Sequence, residues 1–541
     1  MDFQSLEKLT AEKYKKHASR TFNYGTAGFR TKADDLETVL FRMGVLAVVR
    51  SKAMKAHIGM MITASHNPAC DNGVKIVDPR GEMMAVAWEE HATVLANAED
   101  LQLVAAVQQL LQQENINQQQ PAIVVVGRDT RPSSDVLHAA AVAGVRAVGG
   151  QVVECGVVTT PILHYRVVCA NDGGSYGTPT NEGYSKKLAD AFLKLQGTGG
   201  SQSRYSSGLQ FDGANGVGGC QMSIMAPSLA AALTITQYND GKGDGVLNYK
   251  CGADHVKTTQ SWPGGVPATA GTRCVSVDGD ADRVIYSFLD SNGAFHLLDG
   301  DRIATLIAGY LKQLLTRAQV SLKLGLIQTA YANGASTQYI NGTLGVPVGC
   351  AKTGVKFLHH MALDYDIGVY FEANGHGTVL FSDAAKKSIR EAAAAGNSVA
   401  ERLCSVIDVI NETVGDAISD MLLVEVILKE QDWSVEDWNK QYTDLPNRLV
   451  KVLVADRSVI STTNAERSCV TPAALQPAID NLLRSTEFAT ANARAFCRPS
   501  GTEDVVRVYA EASTRELADS LSTKVSQLVF DHAGGVGARP K

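Results

Sequence analysis

At 541 residues the chain is too long for one hydrophobic core, and its length predicts roughly three to five domains. Hydrophobic residues make up 45%, charged residues 20% and aromatics 6%, the profile of an α/β protein with packed cores rather than a disordered or fibrous one. The formal net charge of -6 is spread thinly, so no polybasic surface is expected to hold nucleic acid or an anionic membrane, and an anionic ligand has to meet local positive charge.

The first twenty residues, MDFQSLEKLTAEKYKKHASR, form a charged amphipathic stretch without the apolar core of a signal peptide, and no apolar run of membrane-spanning length follows. A cytoplasmic location is expected. From Val39 to Lys55 apolar residues recur at helical spacing; Ala122 to Val126 is a β-branched run closed by Gly127, and Asp135 to Val148 is again helical. Gln112 to Gln120 reads as a polar loop, and Gly197 to Gly208 as a turn-rich connector between domains. The alternation returns with a strand at Arg273–Val277, a helix at Ile303–Leu315 and a strand at Ile367–Phe371. Ten scattered cysteines contain no C-x-x-C pair, and the twelve histidines show no ligand spacing, so zinc sites and a disulfide framework are not expected.

Four segments carry chemistry. Small and turn-forming residues in Thr63-Ala-Ser65-His66-Asn67-Pro68 present one hydroxyl on a loop, with Asn72-Gly-Val-Lys75 following. A lone serine there would equally suit an ST-turn; only the other segments favour a reactive group. Asp278-Gly-Asp280-Ala-Asp282-Arg283 follows the strand at Arg273–Val277, and alternation along an extended segment would aim three carboxylates one way. Such charges repel unless a cation sits among them, which points to a hard divalent ion. An EF-hand fails on spacing, since its sixth and twelfth positions are Arg283 and Leu289; a solvated acidic turn is the bland alternative.

Glu372-Ala-Asn374-Gly-His376-Gly377-Thr378 puts carboxylate, amide and imidazole on a glycine-rich turn after a strand, a set suited to sugar hydroxyls. Arg498-Pro-Ser500-Gly501-Thr502 with Arg507 combines two hydroxyls, a glycine and two guanidiniums, which suits phosphate oxygens, although the same turn fits a plain hairpin connection. The glycines at Gly213, Gly216 and Gly218 lack dinucleotide-binding spacing and are not read as a nucleotide site.

In this chain order the four segments resemble the serine, metal, sugar and phosphate loops of the α-D-phosphohexomutase superfamily, and the resemblance covers nearly the whole chain. Gly25-Thr-Ala-Gly-Phe-Arg30 is similar to the superfamily's N-terminal arginine motif, and Gly127-Arg-Asp-Thr-Arg-Pro-Ser-Ser134 to its G-x-D-x-R-x-S-like segment. That segment usually precedes the serine loop. Here it follows, and this order, with Cys251–Lys257 and the Glu-Ala-Asn-Gly-His-Gly form of the sugar loop, resembles the superfamily's amino-sugar branch. Ala351-Lys352 departs from the pattern, standing where a Thr-Pro or Val-Pro pair is expected.

The resemblance implies an α/β fold of four domains around a central cleft, three with mixed α/β sheets and a smaller C-terminal TATA-binding-protein-like α+β domain. Expected boundaries are 1–190 for the phosphoserine loop, 191–295 for the metal loop, 296–430 for the sugar loop and 431–541 for the phosphate loop. It implies an isomerase that converts N-acetylglucosamine 6-phosphate to the 1-phosphate, on the route to UDP-N-acetylglucosamine, through a phosphoserine at Ser65 and a bisphosphate intermediate. Glucose or mannose phosphates are the alternative substrates, and a non-catalytic sugar-phosphate-binding homologue the alternative function. The implied cofactors are one Mg²⁺ per active site, held by Ser65, Asp278, Asp280 and Asp282, and a hexose bisphosphate as phosphoryl primer. Arg30, His66, Lys75 and Arg283 are the further catalytic residues expected, with Lys75 as acid/base if surrounding cations lower its pKa. Glu372, Asn374, His376 and Gly377 are expected to bind sugar; Arg498, Ser500, Gly501, Thr502 and Arg507, phosphate. The partner is a small sugar phosphate, with no nucleic acid and no membrane, and the chain is expected as a monomer or weak homodimer.

Overall fold

β-Branched runs form strands where the sequence places them, and each of the site-bearing turns leaves the end of one. The computed structural model describes residues 1–17, 20–196, 204–500 and 504–541. Most of the expected connector at Gly197–Gly208 lies outside these residues, as do Gly501 and Thr502. The chain divides into two units: Met1–Gly300, Arg317–Val320 and Asn374–Glu436 form the first, and Asp301–Thr316, Ser321–Ala373 and Asp437–Lys541 the second.

In the first unit, β1 (Phe29–Lys32), β2 (Ile58–Ile62), β3 (Asp71–Val77), β4 (Ile123–Arg128) and β5 (Gln151–Val157) form a sheet in the order β1-β3-β2-β4-β5. β2, β4 and β5 run parallel, while β3 is antiparallel to both neighbours. The helices Glu37–Met54 and Ser134–Ala147 bury Leu40, Val45, Val48 and Val145 against Ile58, Met60, Val124 and Val126. Each such side chain contributes about 1.5–3 kcal/mol when fully buried. The helix Leu103–Gln113 extends two residues into the stretch expected as polar loop, because Leu110 and Leu111 are buried in the same core.

A second sheet takes β6 (Gly208–Asp212), β7 (Thr234–Tyr238), β8 (Arg273–Val277), β9 (Val284–Leu289) and β10 (Phe295–Leu298) in the order β10-β9-β8-β6-β7. Its central strand β8 is buried at every residue. Far along the chain, the helix Ala417–Glu430 returns to pack against β9 and is buried over most of its length. Glu425 on that helix is fully buried and accepts from Arg273 at 2.9 Å, Tyr286 at 3.1 Å and Tyr205 at 2.9 Å, so the carboxylate is paired and its lone pairs are used.

The second unit holds β11 (Leu324–Thr329), β12 (Val348–Ala351) and β13 (Ile367–Phe371), parallel with β11 in the middle. The next strand, β14 (Gly377–Phe381), falls in the first unit. The C-terminal part returns to the second with β15 (Asn447–Leu453), the hairpin β16 (Ser461–Thr463) and β17 (Ser468–Thr471), and then β18 (Arg494–Pro499) and β19 (Val505–Glu511). β15-β19-β18 is an antiparallel sheet whose core is closed by Leu521, Val525 and Val529 of the helix Arg515–His532, the small α+β architecture expected there.

Candidate active site

Ser65 lies three residues beyond the end of β2, with a backbone φ of 50° that a non-glycine residue adopts only when its surroundings impose it. The constraint is visible. Ser65 N donates to Thr63 Oγ1 at 3.0 Å, and that hydroxyl donates to Asp129 Oδ2 at 2.8 Å. Arg131, also fully buried, donates to the carbonyls of Ser65 and Asn67 at 2.9 Å each, of Pro68 at 2.6 Å and of Asp71 at 3.0 Å, and to Asp129 at 2.9 Å. The sequence led us to expect an exposed hydroxyl. Instead the residue is only 1% exposed, and Ser65 Oγ donates to Asp278 Oδ2 at 2.5 Å, across 213 positions of chain.

Asp278, Asp280 and Asp282 do converge, each offering an oxygen within 4.8 Å of the others, but not through alternation along a strand. β8 ends at Val277, and the segment is a turn closed by Ala281 N donating to Asp278 O at 3.1 Å, with Ala281 at φ 57°. Three helices begin against this turn. Val217 N donates to Gly279 O at 3.0 Å, Thr160 N to Asp280 O at 3.1 Å and Ala417 N to Ala281 O at 3.1 Å, each from the first residue of its helix. Their positive ends therefore face a buried acidic loop, which helps it tolerate its charge. The glycine turn dismissed as a nucleotide site is part of this support: a Cβ on Gly216 would stand 2.5 Å from Gly279 O.

Burial, and then repulsion from Asp282 and Asp280, push the Asp278 carboxyl well above the usual carboxylate range. Asp282 moves the other way: burial opposes its charge, but Lys75, His376 and Arg283 together hold its pKa low. Among the described residues Asp280 Oδ1 and Asp282 Oδ1 are buried without a hydrogen-bond partner, while Asp280 Oδ2 accepts from Thr160 Oγ1 at 2.6 Å. Three buried carboxylates with converging oxygens, two of them keeping an unsatisfied oxygen, fit a hard divalent cation.

Basic groups ring the trio. Lys75 Nζ, on β3, donates to Asp282 Oδ2 at 3.1 Å and Asp280 Oδ2 at 3.4 Å. Burial disfavours its charge, but the two carboxylates outweigh burial and its pKa is raised, the reverse of the direction expected from surrounding cations. Arg283 Nε is 3.8 Å from Asp278 and 4.0 Å from Asp282. Arg30 reaches Asn67 Oδ1 at 3.3 Å. His66 is neutral at physiological pH, held down to about 2 by Arg283, burial and Arg30. His376 Nε2 stands 4.0 Å from Asp282, and its backbone N donates to Asn374 Oδ1 at 3.0 Å. Val284 N donates to Gly375 O at 3.1 Å, tying that turn to β9, while Gly377 opens β14.

The remaining expected residues belong to the second unit. Glu372 accepts from Gly354 N at 2.9 Å. Arg498 and Arg507 sit directly opposite each other on the antiparallel strands β18 and β19. Arg498 donates to Tyr331 Oη at 2.9 Å and Glu466 Oε1 at 3.1 Å, and Glu466 Oε2 also accepts from Thr353 N at 2.9 Å. Arg507 Nε is buried without a hydrogen-bond partner among the described residues, and Ser500 N donates to Val505 O at 2.9 Å. Sequence reasoning gave no role to Glu466, Tyr331 or Thr160; no motif marks them. Arg131 was visible only as part of the Gly127–Ser134 segment.

The family model described as phosphoglucomutase/phosphomannomutase α/β/α domain I matches residues 33–102 and 93–175, and the C-terminal domain of the same family matches 449–528. With Ser65 of the first matched segment bonded to a metal-competent acidic loop, fold and site define an α-D-phosphohexomutase of four domains. The middle segments, 177–285 and 299–433, match domains II and III of phosphoacetylglucosamine mutase AMG1. A phosphoacetylglucosamine mutase from Sus scrofa is 52% identical over 545 aligned positions, covering 100% of this chain and 99% of the relative. Two Aspergillus fumigatus N-acetylphosphoglucosamine mutase structures are each 45% identical and cover 98% of this chain and 99% of theirs. One, with GlcNAc-6P and magnesium, superposes with a TM-score of 0.93, and the other, a serine-to-alanine variant with glucose 1,6-bisphosphate, with 0.91. The chain belongs to the phosphoacetylglucosamine mutase family.

Proposed function

We propose that this chain interconverts N-acetylglucosamine 6-phosphate and N-acetylglucosamine 1-phosphate by moving a phosphoryl group on and off Ser65. The observation that carries the reading is the 2.5 Å hydrogen bond from Ser65 Oγ to Asp278, inside an acidic trio with unsatisfied oxygens. Relatives of 52% and 45% identity that carry this activity in their names support it, as does a related structure holding GlcNAc-6P and magnesium.

Asp278, Asp280 and Asp282, with Ser65 Oγ, would hold Mg²⁺, which when bound offsets charge on the transferring phosphoryl oxygens. In the first half-reaction the bond between phosphorus and Ser65 Oγ breaks as a bond to the free sugar hydroxyl forms, giving a bisphosphate. The sugar hydroxyl loses its proton and Ser65 Oγ gains one. In the second half-reaction the other phosphoryl group returns to Ser65, so the enzyme ends as it began. A hexose bisphosphate primes an enzyme that has lost its phosphate, consistent with the bisphosphate complex of the related structure.

Arg283 and Arg30 are assigned to neutralise phosphoryl oxygens at Ser65, because three carboxylates and a phosphoserine would otherwise repel an anionic substrate. Lys75, kept charged by Asp282 and Asp280, is assigned to give a proton to the departing oxygen and not to accept one from the sugar hydroxyl. His66 and His376 stand close enough to the same cluster to serve instead, and His66, being neutral, is competent to accept. Glu372, Asn374, His376 and Gly377 are assigned to the sugar. Arg498, Ser500 and Arg507, with Gly501 and Thr502, are assigned to the phosphate that does not react. The domain boundaries proposed are 1–190, 191–295, 296–430 and 431–541. A cytosolic location is proposed on the ten free cysteines, and no described helix is long and apolar enough to cross a membrane.

The test is an isomerisation assay on N-acetylglucosamine 6-phosphate with Mg²⁺ and glucose 1,6-bisphosphate, run beside glucose and mannose phosphates. Ser65→Ala is expected to lower kcat by more than about 10³-fold. Wild-type turnover in that variant, or net phosphate release in place of isomerisation, contradicts the reading.

A further inference from the structure

The Ser65 and Asn67 carbonyls each accept two hydrogen bonds, from opposite directions in the chain. Arg131, on the turn after β4, supplies one to each, at 2.9 Å. Asn248, on the loop between β7 and β8, supplies the other: its Nδ2 donates to Ser65 O at 2.8 Å and to Asn67 O at 3.1 Å. Arg131 belongs to the first sheet's own connections, whereas Asn248 comes from the second sheet, the one whose strand β8 delivers the acidic trio.

Asn248 is itself held firmly. Its backbone N donates to Ala214 O at 2.9 Å, and its φ of 58° is a conformation that asparagine tolerates better than most residues. At the same place the metal loop comes closest to the serine turn: a Cβ on Gly279 would stand 2.5 Å from Ser65 O, 3.0 Å from Asn248 Nδ2 and 3.2 Å from Leu247 Cδ1. Three loops thus meet where only a glycine fits, and one amide nitrogen joins two of them.

We propose that Asn248 is a positioning residue for phosphoryl transfer: by gripping the Ser65 and Asn67 carbonyls it fixes the left-handed backbone of Ser65 and registers its Oγ on Asp278. This role rests on the mutase reading above. The two donors matter more than the shape of the side chain, because both acceptors are backbone carbonyls and Arg131 alone can hold the turn only from one side. Substrate binding does not run through Asn248, so the loss is expected in the chemical step.

Asn248→Asp keeps the size and removes both N–H donors; Asn248→Ala removes the side chain. Both are to be assayed as full-length proteins with N-acetylglucosamine 6-phosphate, Mg²⁺ and glucose 1,6-bisphosphate, with circular dichroism and thermal unfolding as folding controls. Expected are a fall in kcat of about 10- to 100-fold, KM for the sugar phosphate within about twofold of wild type, and a higher Mg²⁺ concentration for half-maximal rate. Phosphorylation of Ser65 by the bisphosphate, followed by intact mass, is expected to slow by the same factor as kcat. Folded variants with kcat within twofold of wild type overturn the proposal. So does failure of both to fold, or a fall in thermal stability with an unchanged rate per folded molecule, since each makes Asn248 a structural residue. If the wild-type protein itself does not isomerise the sugar phosphate, it is the mutase reading that fails.

Discussion

Replacing Gly279 by alanine adds one methyl group between Asp278 and Asp280. The nearest obstacle is backbone: Ser65 O would be 2.5 Å from the new Cβ, where ordinary contact begins at 3.4 Å. The metal loop or the serine turn must therefore retreat by about 0.9 Å, because close-packed interiors transmit such strain rather than absorb it. Neither side yields easily. Arg131 and Asn248 hold the Ser65 carbonyl, and the first amides of three helices hold the carbonyls of Gly279, Asp280 and Ala281. A displacement of that size at a reacting atom costs about 10²-fold in rate, whereas overpacking of one methyl costs about 1–3 kcal/mol of stability. Steady-state kinetics on N-acetylglucosamine 6-phosphate at saturating Mg²⁺, with a urea titration alongside, separates the two effects. The expected result is kcat down about 10²-fold in a protein that remains folded. A folded Gly279→Ala protein with wild-type kcat would refute the claim that serine turn and metal loop are rigidly registered.

Arg131→Met is expected to destabilise the first unit by about 3–5 kcal/mol, because it strips five hydrogen bonds and leaves Asp129, buried and already pushed above the usual carboxylate range by burial, without its ion pair; a denaturant midpoint measures this. Asp420 offers a pH prediction. Burial and then the charge of Asp416 raise its folded-state pKa well above its unfolded value, so the folded protein keeps a proton that the unfolded chain has released. Stability from this group is therefore present below the unfolded pKa and declines as pH rises from there toward the folded one. Asp420→Asn, which has no proton to lose, is expected to flatten the fall in urea midpoint between about pH 5 and pH 8, and an unchanged slope would contradict the assignment. Arg498→Lys loses the planar fork that reaches Tyr331 and Glu466 together, so KM for the sugar phosphate is expected to rise by about tenfold with a smaller change in kcat; steady-state kinetics decide.

Much of this molecule was legible in its sequence because its chemistry sits in contiguous motifs at strand ends. The strand Arg273–Val277 was read to the residue, and the helix expected over Val39–Lys55 runs Glu37–Met54. The acidic trio was found for a partly mistaken reason: the carboxylates converge through a turn with Ala281 at positive φ, where strand alternation was invoked. Ser65 was picked out as the reactive hydroxyl but expected at the surface, and the sequence carries no sign of the 213-residue contact that buries it. The three helix starts on the metal loop were illegible for the same reason. Val217, Thr160 and Ala417 are ordinary helix-opening residues, and only the fold brings them to one loop. Long-range single contacts such as Asn248 to Ser65, or Glu466 to Arg498, leave no periodicity and no spacing, so side-chain type alone could not nominate them.

The central claim is that one phosphoryl group visits Ser65 and leaves on the sugar. A single-turnover experiment tests it most directly: wild-type protein is charged with phosphorus-labelled glucose 1,6-bisphosphate, its labelled peptide is mapped, and unlabelled N-acetylglucosamine 6-phosphate is then added with Mg²⁺. The expected result is label on Ser65 that passes to the sugar phosphate at a rate no slower than kcat. Label on another residue, or label on Ser65 that stays there while isomerisation proceeds, would contradict the account.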